Sequence, residues 1–223
     1  MKDPRAAYSY RHPGSGEWAH PLHAGPLADA ASTYVLPALE ILAPRFARAA
    51  APNCRALVIG FGRGFEAAAL LRALGSAQPL PHLALTGLEP HPEWLEPWPP
   101  RWPGLSAEEA PWWGCGAGRW SGPGWEVEVV AESAATWLAR APTRRVDLIL
   151  MDLFSPAHAP EDWEPGLFPG LARVAAPGAV LTTYTCARRV REGLAAAGWN
   201  VQILRGGGAR DTLRASWSEQ APP

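Results

Sequence analysis

The chain reads as short apolar runs separated by helix-like stretches. Branched, near-continuous runs occur at RALVIG (55–60), HLALTGLE (82–89), WEVEVVAE (125–132), RVDLILMD (145–152) and AVLTTYT (179–185). Runs of this kind suit strands covered on both faces. Ala- and Leu-rich segments lie between them, with EAAALLRAL after the first run and ARRVREGLAAAG after the fifth. NVQIL (200–204) and a weaker segment near 211–218 predict a closing hairpin. Strands alternating with helices predict an α/β fold, a mostly parallel seven-stranded sheet with helices on both faces. Residues 27–50 carry an Ala-rich helical pattern that Pro37 and Pro44 interrupt. Segment 90–124, rich in Trp, Pro and Gly, breaks the rhythm. It is too broken for a long helix and predicts an elaborated loop packed by its own tryptophans.

Composition narrows the picture only a little. The 223 residues, 48% of them hydrophobic, suffice for one globular domain with a sizeable core. A net charge of −1 excludes a uniformly basic nucleic-acid binder, but the charge is uneven. Segment 169–215 holds Arg173, Arg188, Arg189, Arg191, Arg205, Arg210 and Arg214 against Glu192 and Asp211. Segment 89–132 is rich in glutamate. The first would favour a polyanion and the second repel it, although a solvated helix face explains Arg188, Arg189 and Arg191 equally well. Cys54, Cys115 and Cys186 lack zinc-ligand spacing and read as reduced thiols. His20 and His23 have no third ligand near them in sequence, so no metal is expected. The N-terminus has no apolar signal core, and no run of about 18 apolar residues occurs. The expectation is a cytoplasmic protein without a membrane span.

Candidate chemistry gathers at the strand ends. In a doubly wound sheet, ligands bind at the carboxyl ends of the strands. One rim therefore carries the loop after Gly60, the end of the second run and the end of the fourth. VIGFGRGFE (58–66) places Gly60, Gly62 and Gly64 where a backbone turns tightly and approaches a ligand, with Phe61 between them. A dinucleotide fingerprint would need glycine at 65, where Phe65 stands. The G-x-G-x-G spacing instead fits S-adenosyl-L-methionine, or an ordinary strand-to-helix turn. Glu89 ends the second run, where an acid can accept hydrogen bonds from both ribose hydroxyls. Glu132 and Ser133 end the third, as an adenine-side contact or as helix caps. Asp152 ends the fourth, where the methyl donor's sulfonium would sit, and can take a proton from an amine acceptor. Phe154 and Pro156 then wall an apolar slot.

These residues carry a resemblance. LVIGFGRGFEAAALL and the stretch from MDLFSPAHAPEDWEPGLF to AAAGWNV resemble the bacterial methyltransferases that finish 5-methylaminomethyl-2-thiouridine at the tRNA wobble position. That family occurs free-standing and as half of a bifunctional protein. Asp152, Phe154, Pro156, Pro160, Trp163, Leu167, Phe168, Pro177, Gly178, Val190 and Arg191 match its pattern, and Glu17, His20, Gly25, Leu27 and Asp29 match it near the N-terminus. Leu153, Ala159, Glu132 and the sparse basic tail GGGARDTLRA depart from it. The resemblance implies a Rossmann-like class I S-adenosylmethionine-dependent methyltransferase. Residues 1–50 would form an N-terminal segment and helix on the cofactor side, and residues 51–223 the methyltransferase domain. Gly60, Phe61, Gly62, Gly64, Glu89, Glu132, Ser133 and Asp152 would hold S-adenosyl-L-methionine. Asp152, Phe154 and Pro156 would face the aminomethyl nitrogen, with tRNA as partner. A small-molecule N-methyltransferase and a non-catalytic nucleotide- or RNA-binding relative remain as alternatives.

Overall fold

The computed structural model describes residues 16, 18, 25–49, 52–76, 81–95, 105–164, 166–206 and 210–218. The apolar runs form an eight-stranded sheet. Its strands are β1 (Asn53–Ile59), β2 (His82–Leu88), β3 (Gly118–Gly122), β4 (Trp125–Val130), β5 (Val146–Met151), β6 (Ala175–Thr183), β7 (Trp199–Leu204) and β8 (Thr212–Trp217). The order is β3-β4-β2-β1-β5-β6-β8-β7. Neighbours from β4 to β6 pair in parallel, whereas β3 and β8 run against their partners. The closing hairpin forms as expected, with β7 paired to β8.

The eighth strand corrects the expectation of seven. β3 lies inside the Trp-rich segment that reads as loop, and pairs with β4 from Gly118↔Val129 to Gly122↔Trp125. Its signal is the glycine turn after Gly122, where Gly124 takes φ +78° and closes a hairpin.

Both faces of the central strands are buried, and the period of two sorts their side chains. Ala56, Val58, Leu148, Leu150 and Val180 join one core; Leu57, Ile59, Ile149, Met151 and Leu181 join the other. The first lies under α1 (Pro26–Ala30), a π-helical turn (Ala31–Val35), α2 (Leu36–Phe46) and α3 (Phe65–Gly75). The second lies under α5 (Ala134–Arg140), α6 (Leu167–Val174) and α7 (Arg188–Ala196). A short α4 (Pro92–Leu95) follows β2.

Residues 26–46 run as one helical rod despite Pro37. Proline lacks an N–H and crowds the carbonyl four residues back, here that of Thr33. The π-turn absorbs the crowding, with the Leu36 N–H donating to Ala31 O. The carbonyls of Thr33 and Tyr34 then accept from the hydroxyls of Thr212 and Thr182, each at 2.9 Å. Two sheet threonines thus fasten this helix to β6 and β8 and fix the position of Tyr34.

Within the Trp-rich segment, Trp94 stacks on His91 with ring centroids 4.1 Å apart, and Leu95, Leu105, Ala110 and Trp112 join the first core. Trp112 meets Phe61 edge-on with centroids 6.0 Å apart, and Trp113 meets Phe65 at 5.2 Å. Trp112 and Trp113 thus back the glycine loop and the start of α3. Trp98 and Trp102 lie outside the described residues.

Candidate active site

β1 and β5 are adjacent, yet their following connections leave toward opposite sides of the sheet. This switch point opens a crevice at the strand ends. Gly60 follows β1 there and Asp152 follows β5, with the Asp152 N–H donating to Ile59 O at 2.8 Å. A Cβ on Gly60 would lie 2.4 Å from the Asp152 carbonyl oxygen, and φ is +78°. Only glycine lets the two strand ends come this close. Gly64 has φ +74°, and a side chain there would strike Trp112 and Phe61. The bend is tied further by the N–H groups of Gly60 and Phe61, which both donate to Leu88 O. Phe61 itself is 1% exposed, and its ring lies against Gly87. Its side chain anchors the loop from behind instead of facing the crevice.

Glu89, at the end of β2, accepts from the Gly62 N–H at 2.8 Å and the His91 N–H at 3.1 Å. Each carboxylate oxygen keeps a further lone pair for a ligand hydroxyl. Burial pushes its carboxyl up to about 7, although both backbone donors pull the other way. Asp152 is likewise raised, to about 6, chiefly by desolvation. Arg210 and the Tyr34 hydroxyl, which donates to Asp152 Oδ1, oppose the rise.

Glu89 and Asp152 line one narrow cavity of about 30 Å³ with Gly60, Trp18, His91, Trp94, Phe154 and Tyr184. It adjoins a wider cavity of about 410 Å³ that also contains Gly60, Pro90, Leu153 and Asp162 in its wall. The pair makes a continuous cleft along the rim. Phe154 is held by the Trp163 indole, which donates to its carbonyl at 2.8 Å, and by edge contact with Trp94 at 5.7 Å. Pro156 is buried in the next turn and is not part of the cavity wall. Ser133 borders the wider cavity and also caps α5, accepting from the Thr136 N–H at 3.2 Å. Glu132 pairs with Arg140 at 2.5 Å, leaving its Oε2 buried without a partner among the described residues. A larger groove of about 510 Å³, lined by Arg55, Arg119 and Glu126, sits by the opposite strand ends, away from this rim.

Beneath Asp152 lies a polar cluster that sequence reading missed as a site. Tyr34 and Glu66 touch Asp152, while Arg210 grips Asp29 at 3.2 and 2.5 Å and stacks over Tyr184 at 4.2 Å. Its one legible signal is Glu66, the lone acid in the otherwise apolar stretch FEAAALL. Glu17, His20 and His23 lie outside the described residues. No group of three or more potential metal-holding side chains occurs among those described, and no helix among them is long and apolar enough to cross a membrane.

A glycine bend closing on a neighbouring strand end, beside a buried acid with lone pairs to spare, suits S-adenosyl-L-methionine. The comparisons agree. A family model described as S-adenosyl-L-methionine-dependent methyltransferase matches residues 112–218. Among curated proteins, the chain is similar to the tRNA 5-methylaminomethyl-2-thiouridine biosynthesis bifunctional protein MnmC. It is 47% identical over 78 residues to that protein of Aeromonas hydrophila, covering 34% of this chain and 12% of the relative. The Methylibium petroleiphilum protein of the same name is 51% identical over 67 residues, covering 30% and 10%. The chain therefore spans only about an eighth or less of these relatives' length. MNMC2 from Aquifex aeolicus shares the fold, with a TM-score of 0.75 at 20% identity over 96% of this chain and 68% of that one.

Proposed function

We propose that this chain transfers a methyl group from S-adenosyl-L-methionine to the aminomethyl nitrogen of the wobble uridine in tRNA, as the names of its curated relatives suggest. The observation that carries the proposal is the shared cavity, in which Asp152 and Glu89 meet an aromatic wall of Trp94, Phe154 and Tyr184. Aromatic faces and a carboxylate together attract an alkylammonium group. The bound cofactor would supply the electrophilic methyl group. Glu89 would hold its ribose and the glycine bend its amino-acid end, with Ser133 toward the adenine.

Asp152 has three tasks in this reading. It draws in the protonated amine, accepts its proton to free the lone pair, and orients the nitrogen. With a midpoint of about 6, it is largely ionised near neutrality and still basic enough to accept a proton. Phe154 and Trp94 keep water from the slot.

The tRNA part of the reading rests on a reduced basic surface. Of the seven arginines in 169–215, Arg188, Arg210 and Arg214 are paired to Glu192, Asp29 and Glu40, and Arg173 is bound to the carbonyls of Ala141 and Leu138. Arg189, Arg191 and Arg205 remain exposed, at or just past the carboxyl ends of β6 and β7. Phosphate contacts there would hold the anticodon loop over the slot.

Incubating the protein with methyl-labelled cofactor and bulk tRNA lacking the final methyl tests the proposal. Label in the wobble nucleoside is the expected result. Intact cofactor binding without any label in tRNA would remove the tRNA substrate and leave a small amine as acceptor.

A further inference from the structure

Glu66 stands in the first turn of α3, behind the glycine bend, and is 2% exposed. Its carboxyl group neighbours that of Asp152. Two carboxyl groups side by side in a buried site do not both ionise, so one of them keeps a proton. Asp152 has a donor in the Tyr34 hydroxyl and opens onto the cavity. Glu66 has only its own backbone N–H and does not line that cavity. Its Oε1 is buried with no hydrogen-bond partner among the described residues, and the nearby guanidinium of Arg210 is bound through two nitrogens to Asp29. An unpartnered carboxylate oxygen costs far more in such a place than the carbonyl oxygen of a neutral acid. The proton therefore belongs to Glu66, and burial pushes that group well above the usual carboxylate range.

We infer that Glu66 is a positioning residue for methyl transfer: it stays a neutral acid and donates a hydrogen bond that, with the Tyr34 hydroxyl, keeps Asp152 ionised and aimed at the acceptor amine. The inference rests on the reading of Asp152 as the carboxylate facing that amine. Three other charged or titratable groups face the pair: Asp29 from α1, Tyr34 from the π-turn and Arg210 from the segment before β8. Asp29 and Arg210 neutralise one another. Tyr34 stays protonated, because burial and the charge of Asp152 push its hydroxyl up. Within the cluster, the group that gains or loses a proton near neutrality is Asp152.

Carbon-13 NMR titration of the Asp152 carboxyl in the intact protein reads this state directly and needs no acceptor. Glu66→Gln keeps a neutral donor, so the Asp152 midpoint should move by less than about half a pH unit. Glu66→Leu removes the donor, and the midpoint should rise by about one to two units. A fall of more than about one unit in Glu66→Gln would show that Glu66 had been ionised and would overturn the inference. An unchanged midpoint in Glu66→Leu would overturn it as well. The Gln variant decides alone if the Leu variant fails to fold. Calorimetry with S-adenosyl-L-methionine on the same wild-type sample separates the two ideas: a protein that binds none loses the methyl-transfer reading, whereas the titration still locates the proton.

Discussion

Consider replacing Glu89 by glutamine. The native carboxyl is 1% exposed and its midpoint stands at about 7, against an ordinary 4.5. Ionising it in the ligand-free protein therefore costs about 3 kcal/mol more than in water. The sign follows from linkage: a carboxyl raised by folding contributes stability that is full below 4.5 and is lost as pH rises through 7. The wild-type protein should become less stable between pH 5 and 8, by up to that order, while Glu89→Gln shows a flatter profile. Cofactor binding should run the other way. Ribose hydroxyls donate best to a carboxylate, so wild-type affinity should rise across pH 6 to 8. Glutamine keeps the shape but loses the charge, and a hydrogen bond to a charged group is worth about 1.5–3 kcal/mol. Affinity at pH 8 should thus fall by about ten- to a hundredfold. Urea unfolding and isothermal calorimetry, each at four pH values, measure both trends. A wild-type affinity independent of pH, together with a variant that binds equally well, would refute the assignment of Glu89 to the ribose.

Three further outcomes are expected. Gly60→Ala places a Cβ 2.4 Å from the Asp152 carbonyl at a positive φ; it should cost about 2–4 kcal/mol in chemical denaturation and abolish cofactor binding, and wild-type behaviour would contradict the closeness of the two strand ends. Asp152→Asn should lower turnover by about 10²–10⁴-fold with cofactor affinity changed only a few-fold, measured by methyl incorporation and calorimetry; equal losses in both would assign Asp152 to binding alone. Arg210→Ala leaves the buried Asp29 without its cation and should destabilise the fold by about 3–5 kcal/mol; thermal melts within a degree or two of wild type would show that the pair is idle.

The central sheet was legible because its strands are apolar on both faces, a pattern that survives without knowledge of the fold. Gly60, Glu89 and Asp152 were legible for a related reason: a strand end in a parallel sheet has only one rim to reach. β3 was obscured because its short run, GRWSG, carries few branched residues and announces itself only through the turn that follows. The helix over 26–46 was partly obscured by Pro37, whose disruption is repaired by Thr182 and Thr212, distant in sequence. The cluster around Asp152 is hidden for the same cause. Tyr34, Glu66 and Arg210 come from three separate segments, and nothing local says that they meet. Nor does composition tell which arginines are spent: Arg210 and Arg214 look available to a polyanion until their carboxylate partners are placed. Ser133 and Glu132 show the reverse limit, since a helix cap and an ion pair already occupy polar groups that sequence alone leaves open to a ligand.

The claim on which the account turns is that one cleft holds the methyl donor between Glu89 and Asp152. A crystal structure with S-adenosyl-L-homocysteine, the demethylated product, measures this most directly. The account predicts both ribose hydroxyls within hydrogen-bond distance of Glu89 and the sulfur turned toward Asp152 and Phe154. Product seated elsewhere, or with its ribose away from Glu89, would contradict it.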